Sequence, residues 1–239
     1  MVRTDNTDNT ERVIVVANRL PSRRWRFVLL GGAATELLLT DEGAPPVRPT
    51  QDVDVVVEVA DRDEFYNLER ELRSLGFSQG LDGIICRWVV DGVTVDVMPT
   101  DPAILGFPNR WYPDVVRHAT NREVAAGVSI HVISAPHFVA TKFEAFLTRG
   151  KGELLASHDL EDILIVLDGR EELESELAAS EEALKDFVSA QFLALRQHPS
   201  FVDAISGHLP GDHASQDRVP LLVERVRRIS ELSGRTLAP

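Results

Sequence analysis

The stretch Asp52-Val53-Asp54-Val55-Val56-Val57-Glu58-Val59 narrows the possible folds more than any other part of this sequence. β-Branched residues alternate with acids there, a pattern of period two that suits a strand and does not suit a helix. Successive side chains of a strand point to opposite faces, so Asp52 and Asp54 share one face and Val53 and Val55 the other. Upstream, the apolar run Phe27 to Leu30 ends in Gly31-Gly32, which reads as a strand entering a tight turn. Good helix formers, Ala33 to Leu39, come after it. The segment Asp41-Glu-Gly-Ala-Pro-Pro-Val-Arg-Pro-Thr50, rich in Pro and Gly, reads as a loop leading to the acidic strand.

The remaining elements are read from spacing. Residues 11–20 form an amphipathic helix. Asp61 and Glu64 have the form of a capping box, Phe65, Leu68, Leu72 and Leu75 then recur at helical spacing, and Gly76 closes the helix. Ile84 to Val90 and Val93 to Met98 read as strands joined by Asp91-Gly92, a strong hairpin signal. Val128 to Ile133 is a further strand. Beyond Ser134-Ala135-Pro136, residues 136–149, 157–167, 171–196 and 217–232 all read as helical. The expectation is an α+β chain: a mixed sheet with flanking helices in residues 1–135, then a helical domain in residues 136–239 that completes a nucleotide site.

Val93, Val95 and Val97 occupy one face of their strand and Asp96 the other. If that strand lies beside the first, Asp96 joins Asp52 and Asp54. Like charges on one face repel, and a divalent cation offsets the repulsion; three carboxylates make an oxygen-rich set suited to magnesium. Such a set supports chemistry on a triphosphate, where a metal ion neutralises charge at the leaving group. Backbone amides at the Gly31-Gly32 turn are suited to phosphate oxygens, since glycine permits close approach. The ordinary alternative is a pair of exposed strand acids and a plain turn.

Composition limits the partners. The formal net charge is −13, which disfavours broad binding to duplex nucleic acid. The basic run Ser22-Arg23-Arg24-Trp25-Arg26 reads as a solvated turn, and Arg225, Arg227 and Arg228 as a solvated helix face. Cys86 is the single cysteine, so no internal disulfide is expected and a reducing, cytoplasmic setting is the default. No apolar run is long enough to span a bilayer, and the polar N-terminal residues lack a signal-peptide pattern. His118, His131 and His137 lack metal-ligand spacing. Neither a nucleophile-elbow nor a Walker-type element occurs. Trp88, Trp111 and Tyr112 read as core or rim, with Trp111-Tyr112 in a Pro-flanked loop placed to line a base pocket.

Leu30-Gly31-Gly32-Ala33-Ala34, with Arg48-Pro49-Thr50-Gln51-Asp52-Val53-Asp54 after it, resembles the first motif of the DNA polymerase beta-like nucleotidyltransferase superfamily. Within it the sequence is most similar to the AbiEii/AbiGii abortive-infection toxins, which read Gly-Gly-Thr-Ala and then Arg-x-Ser/Thr-x-Asp-x-Asp. Ala33 stands where that group has Thr. Val95-Asp96-Val97 fits its third-carboxylate motif. Lys142, in Lys-Phe-Glu-Ala-Phe-Leu-Thr-Arg, and His158-Asp159-Leu160-Glu161-Asp162 fit its later helical motifs. The resemblance runs from Phe27 to Leu167.

It implies a magnesium-dependent enzyme that moves a nucleotidyl group from a nucleoside triphosphate to an RNA, protein or small-molecule acceptor, as the toxin partner of a cognate antitoxin. It further implies that Asp52, Asp54 and Asp96 hold the metal. Gly31, Gly32, Arg48, Thr50 and Lys142 would bind the nucleotide, and Asp159 would order the site. By spacing, Lys142 shares a helix face with Ala145, Phe146 and Arg149, which also fits a lysine snorkelling at the surface. Two readings stay open: the active transferase, and a module with the same fold that binds a nucleotide or a partner without chemistry.

Overall fold

The computed structural model describes residues 7–20, 24–81, 83–106, 109–148 and 153–233. The chain divides into two compact units, the first taking residues 1–37 and 46–134, the second residues 38–45 and 135–239.

The first unit opens with α1 (Thr7–Arg19), which begins earlier than the apolar periodicity indicates. β1 (Phe27–Leu30) is buried throughout. It leads into a 3-10 turn (Gly32–Ala34) and one further turn of helix, α2 (Thr35–Leu38), where propensity predicts a longer helix to Leu39. The helix stops because the next residues bond elsewhere: the Thr40 and Asp41 amides both donate to the Gly169 carbonyl, at 2.8 and 2.9 Å. Tertiary hydrogen bonds here override local preference.

β2 (Asp52–Val57) comes after the loop. α3 (Arg62–Ser74) starts as the capping box predicts, with the Glu64 amide donating 2.9 Å to Asp61 Oδ1. Phe65, Leu68 and Leu72 are buried, and Gly76 takes the positive φ (93°) that ends the helix without a Cβ penalty. A two-residue strand, β3 (Ser78–Gln79), pairs with β4 (Arg87–Val90). β5 (Val93–Pro99) completes the predicted hairpin. Its turn residues Asp91 and Gly92 both have positive φ, 47° and 81°, which matches the right-handed twist of the strands they join.

Three elements have no periodic signature. α4 (Pro102–Leu105) starts at Asp101, whose carboxylate accepts from the Ala103 amide at 2.9 Å, with Pro102 in its first turn. α5 (Tyr112–His118) likewise has Pro113 in its first turn and buries Val115 and Val116. Trp111, expected in a loop, is buried at its start, while the Tyr112 hydroxyl reaches Met98 Sδ. β6 (Thr120–Ala125) is polar and largely exposed, so no alternation marks it; pairing to β7 (Val128–Val132) forms it.

The seven strands form one mixed sheet, in the order β3-β4-β5-β2-β1-β7-β6. β2 runs parallel to β5 and β1 parallel to β7; the other pairs are antiparallel. Val53, Val55, Val57, Val95 and Val97 are fully or almost fully buried, and α1 packs against β2, β5, β6 and β7. The basic run, described from Arg24, is knitted into this unit. Arg24 lies 4.7 Å over the Trp25 ring, Trp25 Nε1 donates to Glu71, and Arg26 donates to the Ala119 carbonyl. Ser22 and Arg23 lie outside the described residues.

The second unit is helical: α6 (Ala135–Thr148), α7 (His158–Gly169), α8 (Leu173–Ala178), α9 (Glu182–Gln197), α10 (Phe201–His208), α11 (His213–Gln216) and α12 (Val219–Ser230). The helix expected over residues 171–196 is two helices. The Ser180 amide bonds the Leu177 carbonyl and its hydroxyl the Glu176 carbonyl, which closes α8 before Glu181 turns extended. Phe143 and Phe192 meet edge to face at 5.0 Å in the core. Among the described residues no helix is long and apolar enough to cross a membrane.

Residues 38–45 belong to this unit through specific contacts. Arg170 Nη1 donates to the Leu38 carbonyl at 2.7 Å, and Thr40 Oγ1 to Glu172 at 2.7 Å. Arg218 bridges Asp41 at 3.0 Å and the buried Asp168, whose two oxygens both lie 2.8 Å from Arg218 Nε. Arg225 donates to the Leu167 and Asp168 carbonyls, while Arg227 and Arg228 pair with Glu224, Glu231 and Glu174. The late basic cluster is thus engaged within the unit.

Burial raises the Asp168 carboxyl above its ordinary value, and Arg218 opposes that rise. A raised folded-state value means the contribution to stability is complete below the ordinary carboxylate range and is lost as pH rises through the folded value. Arg218→Ala leaves a buried carboxylate without that cation and should cost about 3 kcal/mol at pH 7. By this sign the cost shrinks at pH 5. Urea denaturation of both proteins at the two pH values checks it; an equal cost at both would rule out Asp168 as the cause.

Candidate active site

β2 and β5 are neighbours, and their register sets Asp54 directly beside Asp96. Asp52 lies two residues before Asp54 on the same face, opposite Thr94. The expected convergence of Asp52, Asp54 and Asp96 is therefore set by backbone pairing alone. All three are partly accessible, whereas Val53, Val55, Val95 and Val97 between them are buried.

β1 supplies the turn. Leu30 pairs with Asp54 across the antiparallel β1–β2 ladder, so Gly31 emerges beside that carboxylate. Gly31 has φ 68° and ψ −166°, a conformation open essentially to glycine alone. A Cβ built there would overlap Asp54 Oδ2 and sit 2.9 Å from the Asp54 Cβ. Two independent constraints, backbone angle and space, thus require glycine at 31. Gly32 is buried as the first residue of the 3-10 turn, and the Ala34 amide donates to the Gly31 carbonyl at 3.1 Å. The helix start expected after these glycines is only this short turn and α2.

Arg87 enters the same face from the other side. It pairs with Asp96 across the β4–β5 hairpin. Its guanidinium forks onto Asp96, Nε to Oδ1 at 2.8 Å and Nη2 to Oδ2 at 2.7 Å, and Nη2 also lies 3.4 Å from Asp52 Oδ2. Two parallel bonds from one guanidinium make a directional, charge-assisted contact. The negative charge is nonetheless felt nearby. Burial pushes the Cys86 thiol up to about 11, Asp96 and Asp54 add to the rise, and Arg87 opposes it.

Among the described residues no group of three or more His, Cys, Asp or Glu side chains is closed up tightly enough to hold a metal ion. Two of the three acids turn toward Arg87, because like charges on adjacent strands take the cation within reach. The donor set itself is chemically suited to a hard divalent cation: three carboxylates on one face of adjacent strands, beside a glycine that keeps the space over Asp54 clear.

Arg48 and Thr50 hold the segment leading into β2. Asn9 Nδ2 donates to the Arg48 carbonyl at 3.0 Å, and the Thr50 amide donates to Asn9 Oδ1 at 2.8 Å. Thr50 Oγ1 lies 3.1 Å from the Asp52 carbonyl and 3.2 Å from Asn9 Oδ1, and Arg12 donates to the Thr50 carbonyl at 2.7 Å. Asn9 and Arg12 of α1 therefore fix where Asp52 begins its strand.

Lys142 and Asp159 meet in the second unit. Lys142 is 7% exposed, so it is not a snorkelling surface lysine. Its Nζ donates to Asp159 Oδ1 at 3.2 Å and to Asp162 Oδ2 at 2.6 Å, and lies 5.8 Å from the Phe138 ring centroid. Ser157 caps α7 by accepting from the Leu160 amide, which presents Asp159 in the first turn. Arg149 lies outside the described residues.

Sequence reasoning passes over Arg87, although its signal is present. A two-residue Asp91-Gly92 turn pairs Val90 with Val93, and counting outward brings Arg87 opposite Asp96. Asp162 sits within the later helical motif, at the end of His158-Asp159-Leu160-Glu161-Asp162, but only the fold gives it Lys142 as a partner. Asn9 has no local signal; its contacts span about forty residues of chain.

No family model matches the sequence, and no curated protein matches it at a significant level. The crystal structure of an antigenic nucleotidyltransferase-like protein from Paracoccidioides brasiliensis superposes with a TM-score of 0.53 at 20% identity, over 85% of this chain and 94% of that one. The solution structure of the antibiotic-resistance factor ANT(2'')-Ia gives a TM-score of 0.46 at 16% identity, over 80% and 97%, too loose a superposition to carry weight. The chain has the fold of a nucleotidyltransferase-like protein, with Asp54 and Asp96 on two of its adjacent parallel strands.

Proposed function

We propose that this chain is a nucleotidyltransferase that moves a nucleotidyl group from a nucleoside triphosphate to a hydroxyl acceptor. The observation that carries the reading is the register of β2 and β5, which sets Asp54 beside Asp96 with Asp52 on the same face and Gly31 against Asp54. The shared fold with a nucleotidyltransferase-like protein supports it.

Asp52, Asp54 and Asp96 would hold magnesium, which supplies charge neutralisation at the triphosphate when bound. Gly31 and Gly32 leave room for phosphate oxygens beside Asp54. Asp96 accepts the proton of the attacking hydroxyl; that oxygen bonds the α-phosphorus as the bond to the β-phosphate oxygen breaks, and pyrophosphate leaves. Arg48 and Thr50 set the course of the chain into Asp52. Lys142 is the candidate phosphate-binding cation of the helical unit, and Asp159 with Asp162 holds its ammonium in place. The resemblance to AbiEii/AbiGii toxins supports an acceptor among RNA, protein and small molecules, and a cognate antitoxin as partner.

A second reading is favoured by Arg87. Its grip on Asp96 and Asp52 offsets part of the acid face's charge without a metal ion, as suits a module that binds nucleotide and performs no transfer. Calorimetric nucleotide binding without pyrophosphate release would select that reading.

Two substitutions test the enzyme. Asp54→Asn should leave the melting curve near that of the wild type and reduce transfer of label from triphosphate by about a thousandfold, near 4 kcal/mol in barrier. Turnover at the wild-type rate would remove Asp54 from the chemistry. Gly31→Ala combines a left-handed backbone with an overlap on Asp54, so it should cost about 1–3 kcal/mol in urea denaturation and depress transfer as well. Unchanged stability would show that the turn relaxes without Asp54.

A further inference from the structure

We propose that Arg87 is the resident counter-cation of the acid face and exchanges with the divalent cation, each being an alternative partner of Asp96. The inference rests on the metal-binding role proposed for Asp52, Asp54 and Asp96, and adds a residue that this role does not require.

The geometry carries it. Arg87 engages both oxygens of Asp96, at 2.8 and 2.7 Å, and the near oxygen of Asp52 at 3.4 Å. Those are two of the three carboxylates a cation would use. Their side chains are 14% and 35% exposed and that of Arg87 25%, so solvent screening over the cluster is incomplete. A guanidinium and a dication cannot share one carboxylate pair at such distances without strong repulsion. Asp54 sits beside Asp96 in the parallel ladder, and the backbone of β4 and β5 fixes both Asp96 and Arg87 at Cα. The exchange therefore needs only a swing of the long Arg87 side chain, with no change in strand pairing. Without the cation, Arg87 offsets the repulsion among the acids; with it, Asp96 is released to serve as ligand or base.

The opposite role is physically distinct. An arginine that merely orients Asp96 for a metal would strengthen cation binding, so removing it would weaken binding. An arginine that competes gives the reverse sign.

The test titrates Mn2+ into the full-length protein without nucleotide, following free Mn2+ by its electron paramagnetic resonance signal. Wild type, Arg87→Gln, Arg87→Lys and Asp54→Asn are compared. Exchange predicts Asp54-dependent binding that becomes about tenfold tighter in Arg87→Gln, the scale expected from removing one positive charge beside a dication. The same variant should melt lower than wild type in metal-free buffer and recover more on adding Mn2+. Arg87→Lys keeps the charge but loses the fork, so it should tighten binding by less; it also decides the sign if Arg87→Gln does not fold. Equal or weaker binding in the Arg87 variants, with binding still lost in Asp54→Asn, overturns the exchange and leaves the metal site standing. No Asp54-dependent Mn2+ binding in any of these proteins overturns both.

Discussion

Placing two carboxylates side by side on adjacent parallel strands is the constraint around which the first unit is arranged. Strand pairing brings Asp54 and Asp96 within one interstrand spacing, with Asp52 on the same face two residues away. Coulomb repulsion among three such charges opposes the ladder that creates it. The fold tolerates this because the opposite face is apolar: Val53, Val55, Val95 and Val97 bury their side chains and fix the register, since a slip by one residue would exchange acids for valines. Arg87 then neutralises part of the charge from the far side of the hairpin. Hydrophobic burial sets the geometry, and electrostatics determines what occupies it.

Much of this was legible in the sequence because it depends on short-range patterns. Alternation fixed β2 and β5, the Asp91-Gly92 dipeptide fixed the hairpin, and the Asp61–Glu64 pair fixed the start of α3. These signals act within a few residues, where period and turn chemistry decide the conformation. The expectation that Asp96 joins Asp52 and Asp54 needed one further step, that β5 neighbours β2. Nothing local dictates that neighbour; the strand order of the sheet does.

The features that escaped the sequence are long-range. β6 is polar because it is exposed, so it carries no alternation, and only pairing to β7 makes it a strand. The premature end of α2 is imposed by the Gly169 carbonyl, more than a hundred residues away. A side chain on Gly169 would sit 2.9 Å from Leu39 and Ala44, so the close approach of residues 38–45 depends on glycine there as well. That segment lies between β1 and β2 in sequence and groups with the helical unit in space.

Lys142 shows why motif order and side-chain role are separate questions. Its position on a helix suited a phosphate ligand or a surface lysine equally well. The fold buries it between Asp159 and Asp162, a net charge of minus one for the three groups taken as ionised. A buried ammonium is stable only with such partners, and the same holds in reverse for Asp162, which is fully buried. Any contact of Lys142 with an anion must therefore compete with two carboxylates already bonded to it. On the strand face a cation must compete with Arg87; on the helices an anion must compete with Asp159 and Asp162. Each cluster already holds an internal ion pair and keeps an excess of negative charge, so a cation at the strand face is drawn by the surplus while it displaces Arg87, and an anion at Lys142 meets both the competing carboxylates and their repulsion.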